Sequence, residues 1–151
     1  MKAPGRLELA TLVLSVIGLA DSAYQTYTHF SGTGLLGCSA GGDPCAQVQH
    51  SPEAYVFGIP VAVLGVAFYA FMTAICSPWA WRSAAPVMGW VRLGAVTVGI
   101  GFVLYLIYAE LIEIGRICPY CTSVHIITFG LFCLIVAHAA VRGVRAQPQP
   151  R

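Results

Sequence analysis

The sequence predicts an all-α integral membrane protein, a bundle of four transmembrane helices with an outer loop and a short interfacial helix. Its 151 residues are 58% hydrophobic and only 9% charged, with a mean hydropathy of +0.76. Soluble domains carry roughly a quarter charged residues, so a chain this poor in charge needs lipid around it. The net charge is only +2, and no basic run carries interleaved aromatic residues. We therefore expect no nucleic-acid partner.

Four apolar stretches are long enough to cross a bilayer, which takes about 20 helical residues. They cover residues 7–27, 57–75, 87–109 and 119–141. Short connections between such helices place sequential neighbours antiparallel in a bundle. The sequence thus predicts one membrane domain over residues 1–141. The polar, proline-containing residues 142–151 are predicted to form a disordered cytoplasmic tail.

The basic residues predict how the chain crosses the membrane. With four spans, seven of the eight basic residues fall on one side of the membrane and only Arg116 falls on the other. The seven are Lys2, Arg6, Arg82, Arg92, Arg142, Arg145 and Arg151. Cytoplasmic loops carry the excess of Lys and Arg, so both termini are expected in the cytoplasm. The protein is then a multi-pass protein of the plasma (inner) membrane. Both cysteine pairs face outward, where disulfides persist.

The first apolar stretch also resembles a secretory signal peptide. Lys2 and Arg6 precede it, and small residues surround the sequence GLADSA. Cleavage there would leave three spans. We expect the stretch to be retained, because four spans satisfy the charge distribution and because the apolar run continues to Tyr24 and Tyr27.

The sequence CPYC, residues 118–121, opens the last apolar stretch. If Cys118 is the N-cap, Pro119 occupies the first helical position, where its missing N–H costs nothing. The partial positive charge of a helix N-terminus stabilises a thiolate, and Arg116 would add to this effect. The spacing also allows Cys118 and Cys121 to form a disulfide. The pattern favours redox chemistry over two inert thiols, and two ligands are too few for a metal site.

The predicted outer loop carries a second pair, Cys38 and Cys45, with Gly41 and Gly42 between them. Glycines make the loop flexible enough to bring a thiol to the helix pair. A purely structural disulfide is as good an interpretation for this pair taken alone. From Cys45 onward, mixed polar and apolar residues predict a short interfacial helix that is broken at Pro52. Two pairs on one face indicate thiol–disulfide exchange in series.

Polar residues inside the apolar stretches are further candidates. His125 shares one helical face with both cysteines of the CPYC motif, at i+7 and i+4. A histidine there can hydrogen-bond the carbonyl of a membrane-dissolved electron acceptor such as a quinone. Taken alone, a packed histidine bonded to a neighbouring Ser or Thr is the better interpretation, but beside the two cysteines the functional role is favoured. Asp21 lies within the first stretch and is a candidate proton relay, or a carboxylate that reaches a neighbouring hydroxyl. Glu110 and Glu113 are expected to face solvent or lipid headgroups.

Taken together, these motifs resemble the vitamin K epoxide reductase family. The cysteine pair of the loop, CAQVQHS at 45–51, FGIP at 57–60, Gly65, FY at 68–69 and CPYC carry the resemblance, which covers residues 21–132. It is closer to the bacterial members, which regenerate periplasmic disulfides. The family fold is a four-helix membrane bundle with the quinone near the last Cys-x-x-Cys. The resemblance thus implies a membrane oxidoreductase with a quinone, menaquinone or ubiquinone, as electron acceptor.

The resemblance also implies roles for individual residues. Cys38 matches the cysteine that exchanges with a thioredoxin-like partner, and Cys45 matches the one that forms a transient disulfide with Cys118. Cys121 matches the cysteine beside the quinone, and Ser51 matches a serine near the quinone pocket. Many bacterial relatives fuse a thioredoxin-like domain to the bundle. None is found here, so a separate thioredoxin-like (DsbA-like) protein is the expected partner.

Two departures from the vertebrate pattern bear on the substrate. Val61 stands where vertebrate members carry an asparagine that holds the quinone oxygen, and His125 stands where they carry a tyrosine. The predicted reaction is therefore oxidation of a dithiol partner with reduction of a quinone, which supports disulfide bond formation, rather than reduction of an epoxide. The alternative is a small membrane transporter that passes soft metal ions between cysteine pairs.

Overall fold

The computed structural model describes residues 5–38, 44–82, 85 and 87–142, which form a helical bundle with one small β-hairpin. In chain order the elements are α1 (Arg6–Ser31), α2 (Pro44–Gln49), a 3₁₀ turn (Pro52–Ala54), β1 (Tyr55–Val56), β2 (Ile59–Pro60), α3 (Val61–Ile75), α4 (Pro78–Arg82), α5 (Val87–Tyr108) and α6 (Pro119–Arg142). A π-helical segment, Ala109–Ile114, continues α5. The part of the predicted tail beyond residue 142, which contains Arg145 and Arg151, lies outside the described residues. Lys2, near the other terminus, lies outside them as well.

Four helices form the bundle. Helix α1 packs against α3 and α6, and α5 packs against α6 and more lightly against α3. Among the described residues, α1, α5 with its π-helical segment, and α6 are long and apolar enough to cross a membrane. Helix α3 has 15 residues, about 22 Å of helix, and is shorter than the roughly 30 Å of a hydrocarbon core. The short helix predicted after Cys45 is confirmed as α2, which ends before Pro52.

The second predicted span starts four residues later than expected. Residues 57–60 are not helical, because strands β1 and β2 pair in an antiparallel hairpin. The two residues at its tip, Phe57 and Gly58, both have positive φ, 51° and 79°. A two-residue turn of this kind matches the twist of paired strands and cannot continue into a helix. Because the hairpin residues are mostly apolar, the sequence pattern does not distinguish this turn from the start of an apolar helix.

Helix α1 is polar on the inside and apolar on the outside. Its buried residues recur every three or four positions and are small or polar: Thr11, Ser15, Gly18, Ser22, Gln25 and Thr28. Leu9, Val13, Val16 and Ile17 are instead about half exposed. This distribution suits a helix surrounded by lipid, where small and polar residues face neighbouring helices. It also brings polar side chains from α1 into the centre of the bundle.

Two glycines bring α1 and α3 into close contact. A Cβ atom at Gly18 would lie 2.2 Å from the ring of Tyr69, and one at Gly65 would lie 2.9 Å from Ser22 Oγ. Tyr69 cannot withdraw easily, because its hydroxyl donates to Val124 O at 2.9 Å. Close approach at these positions sets the width of the bundle just below the cysteines.

The buried residues form two clusters. The larger one fills the middle and one end of the bundle around Tyr69, Met72, Val96, Leu131 and Ile135. The second lies at the opposite end, which we call the cysteine end; its buried members are Leu35, Cys38, Cys45, Val48 and Cys118. The candidate chemistry of the chain is therefore gathered at one end of the helices.

Candidate active site

The two cysteine pairs meet at the cysteine end. Cys38 and Cys45 form a disulfide with Cα atoms 5.9 Å apart, while Cys118 and Cys121 are free thiols. The disulfide packs in the same apolar cluster as Cys118, and Cys121 packs against that cluster. Cys38, Cys45 and Cys118 are 2%, 1% and 0% exposed. The loop pair and the helix pair are thus neighbours in a site that excludes water.

Cys118 occupies the N-cap position of α6, as predicted. The helix begins at Pro119, and the Cys118 carbonyl accepts the first helical hydrogen bond, from Thr122 N at 2.9 Å. The Cys118 sulfur accepts a hydrogen bond from the backbone N–H of Cys121 at 3.4 Å, the bond that a capping side chain normally receives. Hydrogen bonds from the side chain and then the backbone of Cys121 hold the pKa of the Cys118 thiol below its ordinary value. Cys118 is therefore a good nucleophile and leaving group.

Two tyrosines hold the loop segment that leads to Cys38. The Tyr24 hydroxyl accepts a hydrogen bond from Leu36 N at 3.3 Å, and the Tyr120 hydroxyl donates to Leu36 O at 2.9 Å. The two rings lie 5.7 Å apart, centroid to centroid. Because Tyr24 is on α1 and Tyr120 is inside the CPYC motif, they tie the loop to both sides of the site. They hold the loop disulfide over the helix pair.

A cavity of about 240 Å³ opens beneath the cysteines among α1, α3, α5 and α6. We call it the central cavity. Its walls are mostly apolar and include Phe68, Phe102, Val103 and Leu106. Cys121 lines the central cavity, whereas Cys118 does not. The CPYC motif therefore presents one sulfur to the loop disulfide and the other to an apolar chamber.

His125 lines the central cavity one helical turn below Cys121, as the spacing predicted. It is 7% exposed, and its Nε2 atom is buried without a hydrogen-bond partner among the described residues. A buried polar atom without a partner costs free energy unless a ligand or water supplies one. His125 also borders a groove of about 540 Å³ between α5 and α6. The imidazole is thus available to a polar group of a molecule in the cavity.

Tyr69 closes the deep side of the central cavity. It is fully buried, and its hydroxyl is bonded to Thr128 Oγ1 at 2.7 Å as well as to Val124 O. Both partners are on α6, so the phenol fixes α3 to the helix that carries the cysteines. The sequence pattern at 68–69 marked Tyr69 as part of a motif without indicating this role.

Asp21 does not touch the central cavity directly. Its carboxylate accepts hydrogen bonds from Gln25 Nε2, at 3.1 Å, and from the hydroxyl of Ser123. Gln25 lies between Asp21 and the cavity: its Nε2 also donates to Tyr120 O at 3.3 Å, and its Oε1 accepts from the Cys121 sulfur at 3.6 Å. The intramembrane carboxylate is therefore connected to the redox motif through one amide side chain.

Glu110 is buried, which corrects the expectation that it faces solvent or headgroups. It is 6% exposed and lies in the π-helical segment after α5. Its Oε2 accepts a hydrogen bond from the backbone N–H of Cys118 at 3.4 Å, and the carboxylate also interacts with the Cys121 side chain. Gly115, in the left-handed conformation with φ 66°, reverses the chain so that Cys118 returns to Glu110. π-Helical turns often occur at functional sites.

Ser51 lies beside the site rather than in the central cavity. Its hydroxyl donates to Val48 O at 2.9 Å. It lines a small side cavity of about 30 Å³ together with Glu110 and Cys121. Val61, Leu106 and Cys121 line both this side cavity and the central one.

Sequence reasoning missed Gln25 and Glu110. Each is a polar residue inside a long apolar helix, the signal that drew attention to Asp21. Gln25 is also four residues after Asp21, which puts both on one helical face. Their contact with the cysteines arises from tertiary packing, which the sequence pattern does not contain.

The fold and this site define a helical membrane protein with two cysteine pairs gathered at one end of the bundle. The model of the vitamin K epoxide reductase family matches residues 9–136, and the chain belongs to this family. The resemblance seen in the motifs is thereby confirmed. The chain is also 28% identical over 135 residues to the thiol-disulfide oxidoreductase LTO1 of Arabidopsis thaliana. This match covers 84% of the chain and 35% of that relative.

Proposed function

We propose that the protein is a membrane thiol–disulfide oxidoreductase that oxidises a thioredoxin-like (DsbA-like) extracytoplasmic protein and reduces a quinone. One observation carries the proposal: Cys121 contacts both the cluster that holds the loop disulfide and the apolar central cavity. Electrons that enter at the loop pair can leave at Cys121 into a lipid-soluble acceptor. The name of the plant relative and the family both favour thiol redox chemistry over transport of soft metal ions.

The proposed reaction has three exchanges. The dithiol of the partner reduces the Cys38–Cys45 disulfide and itself becomes a disulfide. The Cys45 thiolate then attacks Cys118 of an oxidised helix pair, and Cys38 resolves the Cys45–Cys118 disulfide. Finally the Cys118 and Cys121 thiols lose two electrons and two protons as they form their disulfide. The quinone accepts the two electrons and two protons and becomes the quinol.

The environment of Cys118 suits the middle exchange. When Cys38 attacks Cys45, Cys118 must leave as a thiolate. Its hydrogen bonds from Cys121 and its place at the N-terminus of α6 stabilise that charge. Thiols with a low pKa leave faster in thiol–disulfide exchange.

The central cavity suits a quinone head. It is apolar, it borders the reactive sulfur of Cys121, and His125 Nε2 is a buried polar atom in need of a partner. We propose that this N–H donates to a quinone oxygen. Ser51 is the second candidate, because the side cavity that it lines shares Val61, Leu106 and Cys121 with the central one. Asp21 remains the candidate source or sink of protons, acting through the polar contacts around Gln25.

The proposed topology places α1, α3, α5 and α6 across the plasma (inner) membrane, with both termini in the cytoplasm and the cysteine end outside. The short α3 completes its crossing with the hairpin before it and the turn into α4 after it. Residues 1–141 then form the membrane domain, and the partner meets the loop pair in the oxidising compartment.

The test is dithiol-driven quinone reduction by the purified full chain in lipid nanodiscs. Dithiothreitol as electron donor should support catalytic reduction of menaquinone or ubiquinone analogues, followed by their absorbance. The His125→Leu variant should lose about tenfold in kcat/KM, which corresponds to one hydrogen bond of ordinary strength.

The matched control is His138→Leu, the same substitution in α6 outside the residues that line the central cavity. It should retain the wild-type rate. Absence of quinone reduction by the wild-type protein would refute the proposed function. Equal rates for the wild type and both histidine variants would refute the role of His125.

A further inference from the structure

Gln25 contacts Asp21 on α1 and both Tyr120 and Cys121 on α6. It is 5% exposed and lines the central cavity. Its amide nitrogen has two acceptors, Asp21 Oδ1 and Tyr120 O. Since both acceptors are oxygens, the amide can only be oriented with its nitrogen toward them, and this leaves Oε1 to face the Cys121 sulfur.

We propose that Gln25 is a positioning residue that holds the Cys121 thiol at the central cavity. The proposal goes beyond the quinone reaction argued above and rests on it only for its effect on turnover. The Tyr120 contact ties Gln25 to the turn between the two cysteines. The contact with Asp21 fixes the orientation of the Gln25 amide, because the Asp21 carboxylate is itself held by a hydrogen bond from Ser123 on α6. The Cys121 sulfur is the third hydrogen-bond partner of Gln25, whose contacts with Asp21 and Tyr120 fix its position.

The geometry gives Gln25 a preference between redox states. The Cys121 thiol has one proton and three acceptors within reach: Gln25 Oε1, the Glu110 carboxylate and the Cys118 sulfur. When it donates to Gln25 it gains a hydrogen bond that a sulfur in a Cys118–Cys121 disulfide, which has no proton, cannot make. The hydrogen bond therefore stabilises the reduced pair. The contact from Asp21 orients the Gln25 amide, so Asp21 also helps to position Cys121, in addition to its proposed role with protons.

Two substitutions separate this role from simple packing. Gln25→Leu keeps the side-chain size and removes all three polar contacts. Gln25→Glu keeps the reach and an oxygen toward Cys121, but its ionised form cannot donate to Asp21 or to Tyr120 O. Thr26→Val is the matched control, because Thr26 is the next residue of α1 and its hydroxyl donates to Ser22 O, one turn earlier in the same helix, at 2.8 Å.

The first readout needs no quinone. The whole 151-residue chain is equilibrated with a series of oxidised-to-reduced dithiothreitol ratios, quenched by alkylation and mapped by mass spectrometry. Gln25→Leu should shift the Cys118–Cys121 pair toward the disulfide by about fivefold, as expected for loss of one hydrogen bond to a thiol. Thr26→Val should match the wild type.

The second readout is quinone turnover. We expect kcat for Gln25→Leu to fall by about 100-fold while KM changes little, since a displaced reacting atom costs rate rather than binding. Gln25→Glu should retain more activity at low pH and lose it as the pH rises, because ionisation places a second carboxylate beside Asp21, and the Glu110 carboxylate also interacts with Cys121. The wild type should lack this pH-dependent loss.

Unchanged redox equilibrium in Gln25→Leu, equal to that of Thr26→Val, would overturn the proposal. A wild-type protein that fails to reduce quinones while Gln25→Leu still shifts the equilibrium would refute the proposed function and support the role of Gln25. Wild-type turnover with Gln25→Leu at the same kcat would refute positioning at the cavity. The two failures are therefore distinguishable.

Discussion

Replacing Cys121 with alanine is expected to abolish quinone reduction. Among the four paired cysteines, Cys121 is the one that lines the central cavity, and its loss leaves Cys118 without a partner for a disulfide. Exchange between the loop pair and Cys118 can still occur, but no two-electron oxidation of the helix pair can follow. We expect a fall of at least about 1,000-fold in kcat/KM for quinone, the scale found when a covalent catalytic residue is removed.

Cys133→Ala is the control for this variant. Cys133 is a free, exposed cysteine on the same helix, outside both the central cavity and the apolar cluster of the cysteine end. Its replacement should leave the rate within about twofold, as is usual for a surface position. Dithiol-driven quinone reduction at the wild-type rate by Cys121→Ala would place the exit of electrons elsewhere.

Replacing Cys38 with alanine is expected to separate the two ends of the electron path. Without Cys38, no loop disulfide can receive electrons from a protein partner. A Cys45–Cys118 disulfide can then be resolved inside the protein only backwards, by attack of Cys121 on Cys118. Dithiothreitol is small enough to replace Cys38 in the forward step. Reduction driven by a reduced thioredoxin-like protein should therefore fall by at least about 100-fold, while reduction driven by dithiothreitol stays within about threefold.

The measurement compares the two donors at equal thiol concentration with the same quinone analogue. Cys133→Ala again serves as the control and should respond to both donors as the wild type does. Equal loss with both donors would mean that Cys38 is needed to hold the site together. Retention of the protein-driven rate would mean that the partner reaches the helix pair without the loop.

The sequence predicted the features of the fold that depend on local chemistry. Proline after Cys118 fixed the start of α6, and Pro52 marked the limit of α2, because proline lacks the N–H that a helix interior needs. The first helix extends to Ser31 rather than residue 27, because its last turn is too polar to count as part of an apolar stretch. The predicted start of α3 was wrong, because the turn at Phe57–Gly58 lies among apolar residues and resembles the beginning of an apolar span in the sequence.

The site was predictable only in part, for a different reason. The cysteine spacing, the N-cap and the place of His125 on the cysteine face of α6 follow from one helix alone. The burial of Glu110 requires a π-helical turn and the reversal at Gly115, and the role of Gln25 requires contact between the first helix and the last. Contacts of this kind depend on how helices pack, which composition and periodicity do not specify.

The central claim is that the two cysteine pairs act in series, with the helix pair next to the quinone. The most direct test mixes the fully reduced protein with excess quinone without oxygen, quenches the reaction over time and maps the disulfides. We expect one quinol for each disulfide formed, with the Cys118–Cys121 disulfide appearing first and the Cys38–Cys45 disulfide afterwards. Oxidation of Cys38 and Cys45 while Cys118 and Cys121 stay reduced throughout, or quinol formed without loss of thiols, would contradict the account.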